Sequence, residues 1–198
     1  MKRTVYLLLI LISTYFNAFS QGLNNEQYSF DKSDSENISK FFFGIETYKF
    51  YVRAKLNDDF DIILEEYSNE EKKSTSKLVS DVINKYGINP LNRNFGDEFI
   101  RIYVKNSTIE KNSVDLGIKY LSLSAPKKFE NLDLKLLQSR AFTNIPTEIE
   151  EKTPVLVIYG NKTGNLISCP GDAKPSDIIK LYDWVCIISL EKIKKNKE

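Results

Sequence analysis

The sequence predicts an α+β fold: a single domain with a mostly antiparallel sheet of about five to six strands and two to three helices. Three observations predict it. Apolar residues make up 41% of the 198-residue chain and aromatic residues 12%, which is enough to fill one core. Several runs alternate apolar and polar residues, as half-buried strands do. Strand-like and helix-like runs follow one another in mixed order, without an internal repeat.

The first segment, residues 1–20, has the layout of a secretory signal peptide. A basic start precedes the apolar run 5–12, and small residues precede a possible cut between Ser20 and Gln21. The apolar run is shorter than the roughly 20 residues that span a membrane, so a cleaved signal is favoured over a retained anchor. We therefore expect a secreted or periplasmic protein with no transmembrane segment after signal removal.

The rest of the chain divides by composition. Residues 21–37 are polar and are expected to be disordered, residues 38–191 hold the apolar residues of one globular α+β domain, and residues 192–198 form a basic, solvated tail. The whole chain carries 28 basic and 27 acidic residues. A chain so evenly balanced lacks the broad positive field that drives non-specific binding to nucleic acid, so no nucleic-acid partner is expected.

The first predicted element of the domain is a β-hairpin. Residues 38–56 fit a helical stripe as well as a strand, but the alternation around Phe50 favours a strand from about Glu46. The polar residues 57–59 are typical of a turn, and residues 60–65 alternate again. Two alternating runs around a short polar turn predict a hairpin.

The middle of the chain predicts one helix and two strands. Residues 70–86 place apolar side chains on one helical face, and Gly87 stands where a helix end requires positive φ. The alternation in residues 98–105 and 114–120 predicts strands, and Pro126 is expected to follow the end of the second.

The last third predicts two helices and two buried strands. The spacing of leucines predicts a helix over residues 129–142. Residues 154–159 are continuously apolar, which is typical of a strand buried on both faces. A helix is predicted to start at Pro175 and to run to about residue 182, followed by a strand over residues 184–190; a continuous helix over 176–193 is the alternative.

The chain contains no histidine. This excludes Ser-His-Asp and Cys-His nucleophiles and any imidazole zinc site. Carboxylate chemistry, Ser-Lys activation and catalysis by a bound cofactor remain. There is no P-loop and no dinucleotide fingerprint, and a calcium loop starting at Asn57 fails because Ile62 and Ser68 replace the required glycine and glutamate. We therefore predict no cofactor and no metal site.

Several acidic clusters are candidates for carboxylate chemistry, although charged residues in turns and at strand edges are mostly exposed to solvent. These acidic residues are Asp58, Asp59, Asp61, Glu65, Glu66, Asp97, Glu98, Glu148, Glu150 and Glu151. A glycosidase needs two carboxyl groups roughly 5 to 9 Å apart in a cleft. The segment from Ser74 to Lys77 resembles a Ser-Lys pairing, but Lys77 in a polar run is more simply a solvated residue.

The two cysteines, Cys169 and Cys186, are a candidate disulfide. Export would place them where a disulfide persists, and closing a loop of this size would stabilise the fold by about 3 kcal/mol. The alternative is one buried and one exposed free thiol, because pairing depends on a Cα separation that sequence does not supply.

An aromatic cluster comprises residues 41–43 together with Tyr48, Phe50 and Tyr51. It offers either a sticky surface for a sugar or peptide or the filling of a core, and aromatic side chains are the normal filling of cores.

The sequence thus predicts an exported, soluble protein of the bacterial envelope, a non-catalytic binding or interaction module with a protein or glycan partner. The high content of lysine, asparagine and isoleucine favours a bacterial source with an AT-rich genome. The alternative function is a carboxylate-based hydrolase acting on envelope or extracellular glycans.

Overall fold

The computed structural model describes residues 32–51, 60–87, 99–107, 113–143, 145, 152–165 and 173–193. These residues form three helices, α1 (Lys32–Phe43), α2 (Leu78–Tyr86) and α3 (Pro175–Leu181). They also form nine strands: β1 (Ile45–Tyr51), β2 (Phe60–Ser68), β3 (Glu71–Lys77), β4 (Phe99–Ser107), β5 (Ser113–Tyr120), β6 (Leu123–Phe129), β7 (Leu136–Ala141), β8 (Thr153–Asn161) and β9 (Trp184–Lys192).

The chain divides into two compact units, residues 1–38 and residues 39–198. In the first unit the described residues 32–38 form the beginning of α1. This start lies inside the segment 21–37 that the sequence predicts to be disordered. The leader and its candidate cleavage site lie outside the described residues, as do residues 194–198 of the predicted tail.

The second unit contains two antiparallel sheets. One has four strands in the order β1-β4-β5-β6, and the other has five in the order β3-β2-β9-β8-β7. The predicted α+β class with mostly antiparallel strands is therefore confirmed. The predicted count of five to six strands is too low, because the described residues form nine strands in two sheets.

The two sheets pack face to face around one core. Alternate residues of the four-stranded sheet, such as Ile100 and Ile102, are fully buried and share a cluster with Ile158 and Ile188 of the five-stranded sheet. Ring contacts join the sheets directly; in one of them Phe129 lies 5.3 Å from Trp184. Val79 of α2 enters the same core.

A smaller apolar cluster covers the other face of the five-stranded sheet. Ile178 of α3, with Tyr182 just after it, packs against Val157 of β8 and Val185 of β9. These two strands lie between the core and α3, so side chains on both of their faces are buried. This confirms the prediction that continuously apolar runs mark strands buried on both faces.

The predicted hairpin over residues 46–65 is wrong. β1 pairs with β4 in the four-stranded sheet, whereas β2 pairs with β3 and β9 in the five-stranded sheet. The two alternating runs thus belong to different sheets, and the predicted turn 57–59 lies outside the described residues. Alternation identified each strand but carries no information on which strand pairs with which.

Two predicted helices are wrong in whole or in part. The range 70–86 is half strand, since β3 occupies Glu71–Lys77 and only Leu78–Tyr86 is helical, ending at Gly87 with φ 66° as predicted. The range 129–142 contains β7 instead of a helix. Pro126 lies within β6, at the edge of its sheet, where a proline removes no hydrogen bond that the ladder needs.

Candidate functional site

The four-stranded sheet has one face in the core and one face outward. Of the helices, α2 packs against β2 and β3, and α3 packs against β9. We call the outward face the open face. The register places on it Ile45, Thr47, Lys49, Tyr51, Phe99, Arg101, Tyr103, Lys105, Asp115, Gly117, Lys119, Ser124, Pro126 and Lys128.

Cationic side chains line up across the strands of the open face. Lys49 of β1 pairs with Arg101 of β4, and Arg101 pairs in turn with Lys119 of β5. Directly opposite residues have Cβ atoms about 5 Å apart, so three positive groups stand side by side. Lys49 and Lys119 are exposed and Arg101 is half-buried. Like charges in register repel each other, so such a row destabilises a sheet unless other groups offset the repulsion.

The next row of the open face consists of Thr47, Tyr103, Gly117 and Pro126. Tyr103 lies opposite Gly117, and Gly117 lies opposite Pro126. A Cβ atom on Gly117 would lie 3.6 Å from the ring of Tyr103, so this ring leans over the glycine. The result is a shallow aromatic platform beside the cationic row.

A mixed row completes the open face on the other side of this platform. Lys105 and Lys128 flank Asp115, the one carboxylate among the face residues. Lys128 also pairs with Glu130 at 2.6 Å, and this hydrogen bond raises the pKa of Lys128. These residues of the open face are five cations and one anion, and Glu130 beside Lys128 adds a second carboxylate.

Two further aromatic rings lie at the end of the open face. Tyr51 and Phe99 are opposite each other and are 54% and 39% exposed. Their ring centroids are 5.5 Å apart with a tilt of 58°, so each ring covers part of the other.

Asp61, one of the predicted candidate acids, caps a helix. It is 2% exposed, and its carboxylate accepts hydrogen bonds from the backbone N–H of Val79 at 2.8 Å and of Ser80 at 3.2 Å. The Ser80 hydroxyl donates a third at 2.5 Å. These amides belong to the first turn of α2, where N–H groups have no partner within the helix. Asp61 is therefore structural.

Glu65 and Glu66 lie on opposite faces of β2. Glu65 is buried at 5% exposure and pairs with Lys72 at 2.6 Å and with Lys152. Burial alone would raise the pKa of Glu65, but the hydrogen bonds from these two lysines outweigh it and hold the pKa below its ordinary 4.5. Glu66 accepts hydrogen bonds from the Trp184 indole at 3.0 Å and from Ser74 at 3.0 Å.

These positions do not make a glycosidase pair among the described residues. Adjacent strand residues point to opposite faces, so Glu65 and Glu66 do not share a cleft. Asp61 and Glu65 share a face but stand about 13 Å apart along the strand, beyond the roughly 5 to 9.5 Å that glycoside hydrolysis needs. The other predicted acids, at 58, 59, 97, 98, 148, 150 and 151, lie outside the described residues.

The predicted Ser-Lys resemblance does not form a site. Ser74 and Lys77 lie on opposite faces of β3, because they are an odd number of residues apart. The Lys77 ammonium pairs with Glu191 at 3.4 Å. A cleft of about 320 Å³ opens here, lined by Asp61, Lys77, Ser80, Glu191, Lys192 and Ile193. Asp61 and Glu191 lie opposite each other in the sheet, and one carboxylate is bound to the helix and the other to the lysine.

A polar cluster joins β1 to β7 across the edge of the two sheets. The Glu46 carboxylate accepts hydrogen bonds from the Tyr48 hydroxyl at 2.8 Å and from the Ser139 hydroxyl at 2.5 Å, and it pairs with Lys40 at 3.4 Å. Burial would raise the pKa of Glu46, but these partners outweigh it and lower the pKa. Burial also raises the pKa of Tyr48. With every member bonded to another, the cluster ties the sheets together.

Cys186 is a free thiol that is fully buried in the core. Burial raises the pKa of this thiol far above its ordinary value, so it is inert as a nucleophile. Cys169 lies outside the described residues. The predicted bridge between the two cysteines thus finds no support in the structure.

The predicted aromatic cluster divides between core and surface. Phe50 is buried at 8% exposure, as a core interpretation requires. Phe41, Phe42 and Phe43 are 82%, 70% and 60% exposed at the end of α1, so the preferred core interpretation is wrong for these three.

No protein-family model, curated protein or solved structure matches this chain. Within the described ranges, no group of three or more cysteines and carboxylates is placed to hold a metal ion. None of the helices among those residues is long and apolar enough to cross a membrane.

Sequence reasoning missed the open face. The outward positions of two correctly predicted strands already carry the cations in the sequence. Arg101 and Lys105 alternate with buried residues of β4, and Lys119 alternates with buried residues of β5. What the sequence lacks is the register that places Arg101 beside Lys119 and brings β1 to the same sheet.

Proposed function

We propose that this protein is a non-catalytic binding domain that holds its partner on the open face, and that it works in the bacterial envelope after export. The observation that carries the proposal is the row of Lys49, Arg101 and Lys119. The row places three positive groups side by side on one sheet face, and such a surface complements a negatively charged partner. A flat sheet face of this kind suits binding, since it has no cleft in which water could be excluded from a reaction.

The alternative, a carboxylate-based hydrolase of glycans, has one geometric feature in its favour, since Asp61 and Glu191 lie opposite each other in the sheet and line the same cleft. However, Asp61 caps a helix and Glu191 pairs with a lysine, as Glu65 does. Glu66 accepts hydrogen bonds from Trp184 and Ser74. We expect no release of reducing sugar when the purified protein is incubated with bacterial cell-wall material. Sustained release that is lost in an acid-to-amide variant would reverse this ranking.

Co-sedimentation tests the binding role. The purified protein is mixed with insoluble cell-wall material from a bacterium, and the bound fraction is measured. Replacing Arg101 and Lys119 by glutamate should abolish binding. The matched control replaces Lys73 and Lys85, which are exposed and lie off the open face, and should bind as the natural protein does. Equal losses in both variants, or no binding by the natural protein, would contradict the proposal.

Export is tested separately. Expression of the full chain in a bacterium should give a protein outside the cytoplasm whose first residue is Gln21. Intact Met1 on the mature protein would contradict export by a cleaved signal.

A further inference from the structure

We infer that three consecutive phenylalanines at the end of α1 insert into the surface of a lipid bilayer. We call this group, Phe41, Phe42 and Phe43, the phenylalanine knob. Its members are 82%, 70% and 60% exposed. With about 200 Å² on each side chain, they present about 400 Å² of apolar surface to water. An exposed apolar patch of this size marks a contact with a membrane or with another protein. The knob is separate from the open face, so the inference goes beyond the proposed binding role.

Two contacts fix the knob to the sheet that follows it. Gly44, just after the end of α1, has φ 63° and donates its N–H to the Lys40 carbonyl at 3.0 Å. The Lys40 ammonium pairs with Glu46 of β1 at 3.4 Å. The polar side of the last helical turn is therefore held against β1, and the rings are presented by an ordered helix end.

The helical geometry points the three rings in different directions. Successive residues of an α-helix lie about 100° apart around its axis. Phe42 is thus about 200° from Lys40, on the far side of the helix, and Phe41 and Phe43 lie on the two flanks. The rings of Phe41 and Phe42 meet edge to face at 5.1 Å. One side of the helix end is joined to β1, and the rings occupy the remaining sides.

This arrangement favours lipid over a protein partner. A helix that docks in a protein groove uses residues three and four apart, which form one stripe. Three consecutive residues form no stripe, so one protein surface covers only part of the knob. Its exposed area of about 400 Å² is also about half of what each partner buries in a stable complex. The acyl region of a bilayer is fluid, surrounds an inserted group on all sides, and suits phenyl rings, which have no hydrogen bonds to satisfy.

The experiment measures sedimentation of the purified protein with vesicles of phosphatidylcholine alone, at low and at physiological ionic strength. The protein used is residues 21–198, which lacks the apolar leader and contains the whole second compact unit. We expect binding at both ionic strengths, because an apolar contact needs no anionic lipid and is not screened by salt.

Two matched variants test the location. Phe41→Ser with Phe42→Ser should weaken vesicle binding about a hundredfold, since burial of each phenyl ring contributes about a factor of ten. Tyr86→Ser with Leu181→Ser removes two side chains from residues that are 60% and 48% exposed on α2 and α3, and should leave binding unchanged. Circular dichroism verifies that both variants are folded.

A spectroscopic measurement tests insertion itself. In Phe42→Trp the emission of the new indole should shift to shorter wavelength when vesicles are added, and bromine-labelled acyl chains should quench it. Trp184 is only 3% exposed, so its emission should not respond. An emission that stays unshifted and unquenched would place the knob outside the acyl region and overturn the inference.

The other outcomes are equally distinct. No binding of the natural protein to phosphatidylcholine vesicles, or equal binding by both double variants, would overturn the inference. A dimer in analytical ultracentrifugation that Phe41→Ser with Phe42→Ser abolishes, without vesicle binding, would assign the knob to a second copy of the chain and overturn it too. None of these results bears on the open face, which the Arg101 and Lys119 variants test with cell-wall material.

Discussion

Replacing Asp61 by alanine should strongly destabilise the protein. The Asp61 carboxylate lies at the beginning of α2 and accepts hydrogen bonds from two backbone amides and one hydroxyl. The cap comes from β2, since Lys77 at the N-cap position makes no side-chain hydrogen bond to the helix. One buried side chain thus joins the five-stranded sheet to α2.

The magnitude follows from three contributions. Losing a helix cap costs about 1 kcal/mol. The amide of Val79, a residue with 0% exposure, would be left without an acceptor, which adds about 1 to 3 kcal/mol. Losing a negative charge at a helix N-terminus adds about 0.5 kcal/mol. Because these contributions overlap, the expected loss in the free energy of unfolding is about 2 to 4 kcal/mol.

The assay is urea denaturation followed by circular dichroism, with Asp115→Ala as the control. Asp115 is an exposed acid on the open face, and its loss should change the free energy of unfolding by less than about 0.5 kcal/mol. Asp61→Asn keeps one acceptor oxygen and should fall between the two. If Asp61→Ala unfolds within about 0.5 kcal/mol of the natural protein with the same slope, the assignment of Asp61 as the cap of α2 is refuted.

Three further predictions concern the interior. The pKa of Glu65 is lower in the folded chain than its ordinary 4.5, so its ion pairs stabilise the fold fully above about pH 4.5 and are lost as pH falls through the folded pKa. The melting temperature of Glu65→Gln should therefore change less between pH 3 and 6 than that of the natural protein. An unchanged pH profile in this variant would contradict the pairing. Gly160→Ala should prevent stable folding, since its Cβ would collide with a backbone carbonyl oxygen and lie 2.8 Å from the Leu134 side chain. The control Gly117→Ala should fold with a melting temperature close to that of the natural protein, because the atom nearest to its Cβ is 3.6 Å away. Cys186 should resist alkylation in the native state and react after unfolding without reductant, as peptide mapping would show; rapid native labelling would contradict its burial.

The strands predicted correctly are those whose burial is visible in the local pattern of apolar and polar residues. β8 and β9 are continuously apolar because the core lies on one face and α3 packs on the other. β4 and β5 alternate because only one of their faces is in the core. The end of α2 at Gly87 follows from a backbone conformation that glycine adopts without strain.

The missed strands lie at sheet edges, where little is buried. β3 is almost wholly polar, and its charged residues also suit an exposed helix, so the helical prediction extended across it. The turn before it consists of Asn69 and Glu70, both with positive φ (48° and 66°). A two-residue turn of this type usually has glycine at its second position. This turn has glutamate there, so the sequence did not indicate a turn.

The candidate site was beyond prediction for a related reason. The cations of the open face come from four strands, and only long-range pairing brings them together. The acids, which looked more promising in the sequence, have structural partners that are distant in the chain. Asp61 meets Val79, and Glu66 meets Trp184, each across a separation that alternation does not encode.

The order of strands also bears on how this protein behaves at high concentration. A sheet has two outer strands whose unpaired backbone groups can recruit another chain. β3 and β6 resist such recruitment, since one is lined with lysines and the other holds Pro126 and three neighbouring polar or charged positions. The less charged outer strands, β1 and β7, are joined to each other by the cluster around Glu46. β3 and β6 thus carry the charged residues and the proline that oppose edge-to-edge assembly into fibres, and the cluster around Glu46 holds β1 and β7 against each other.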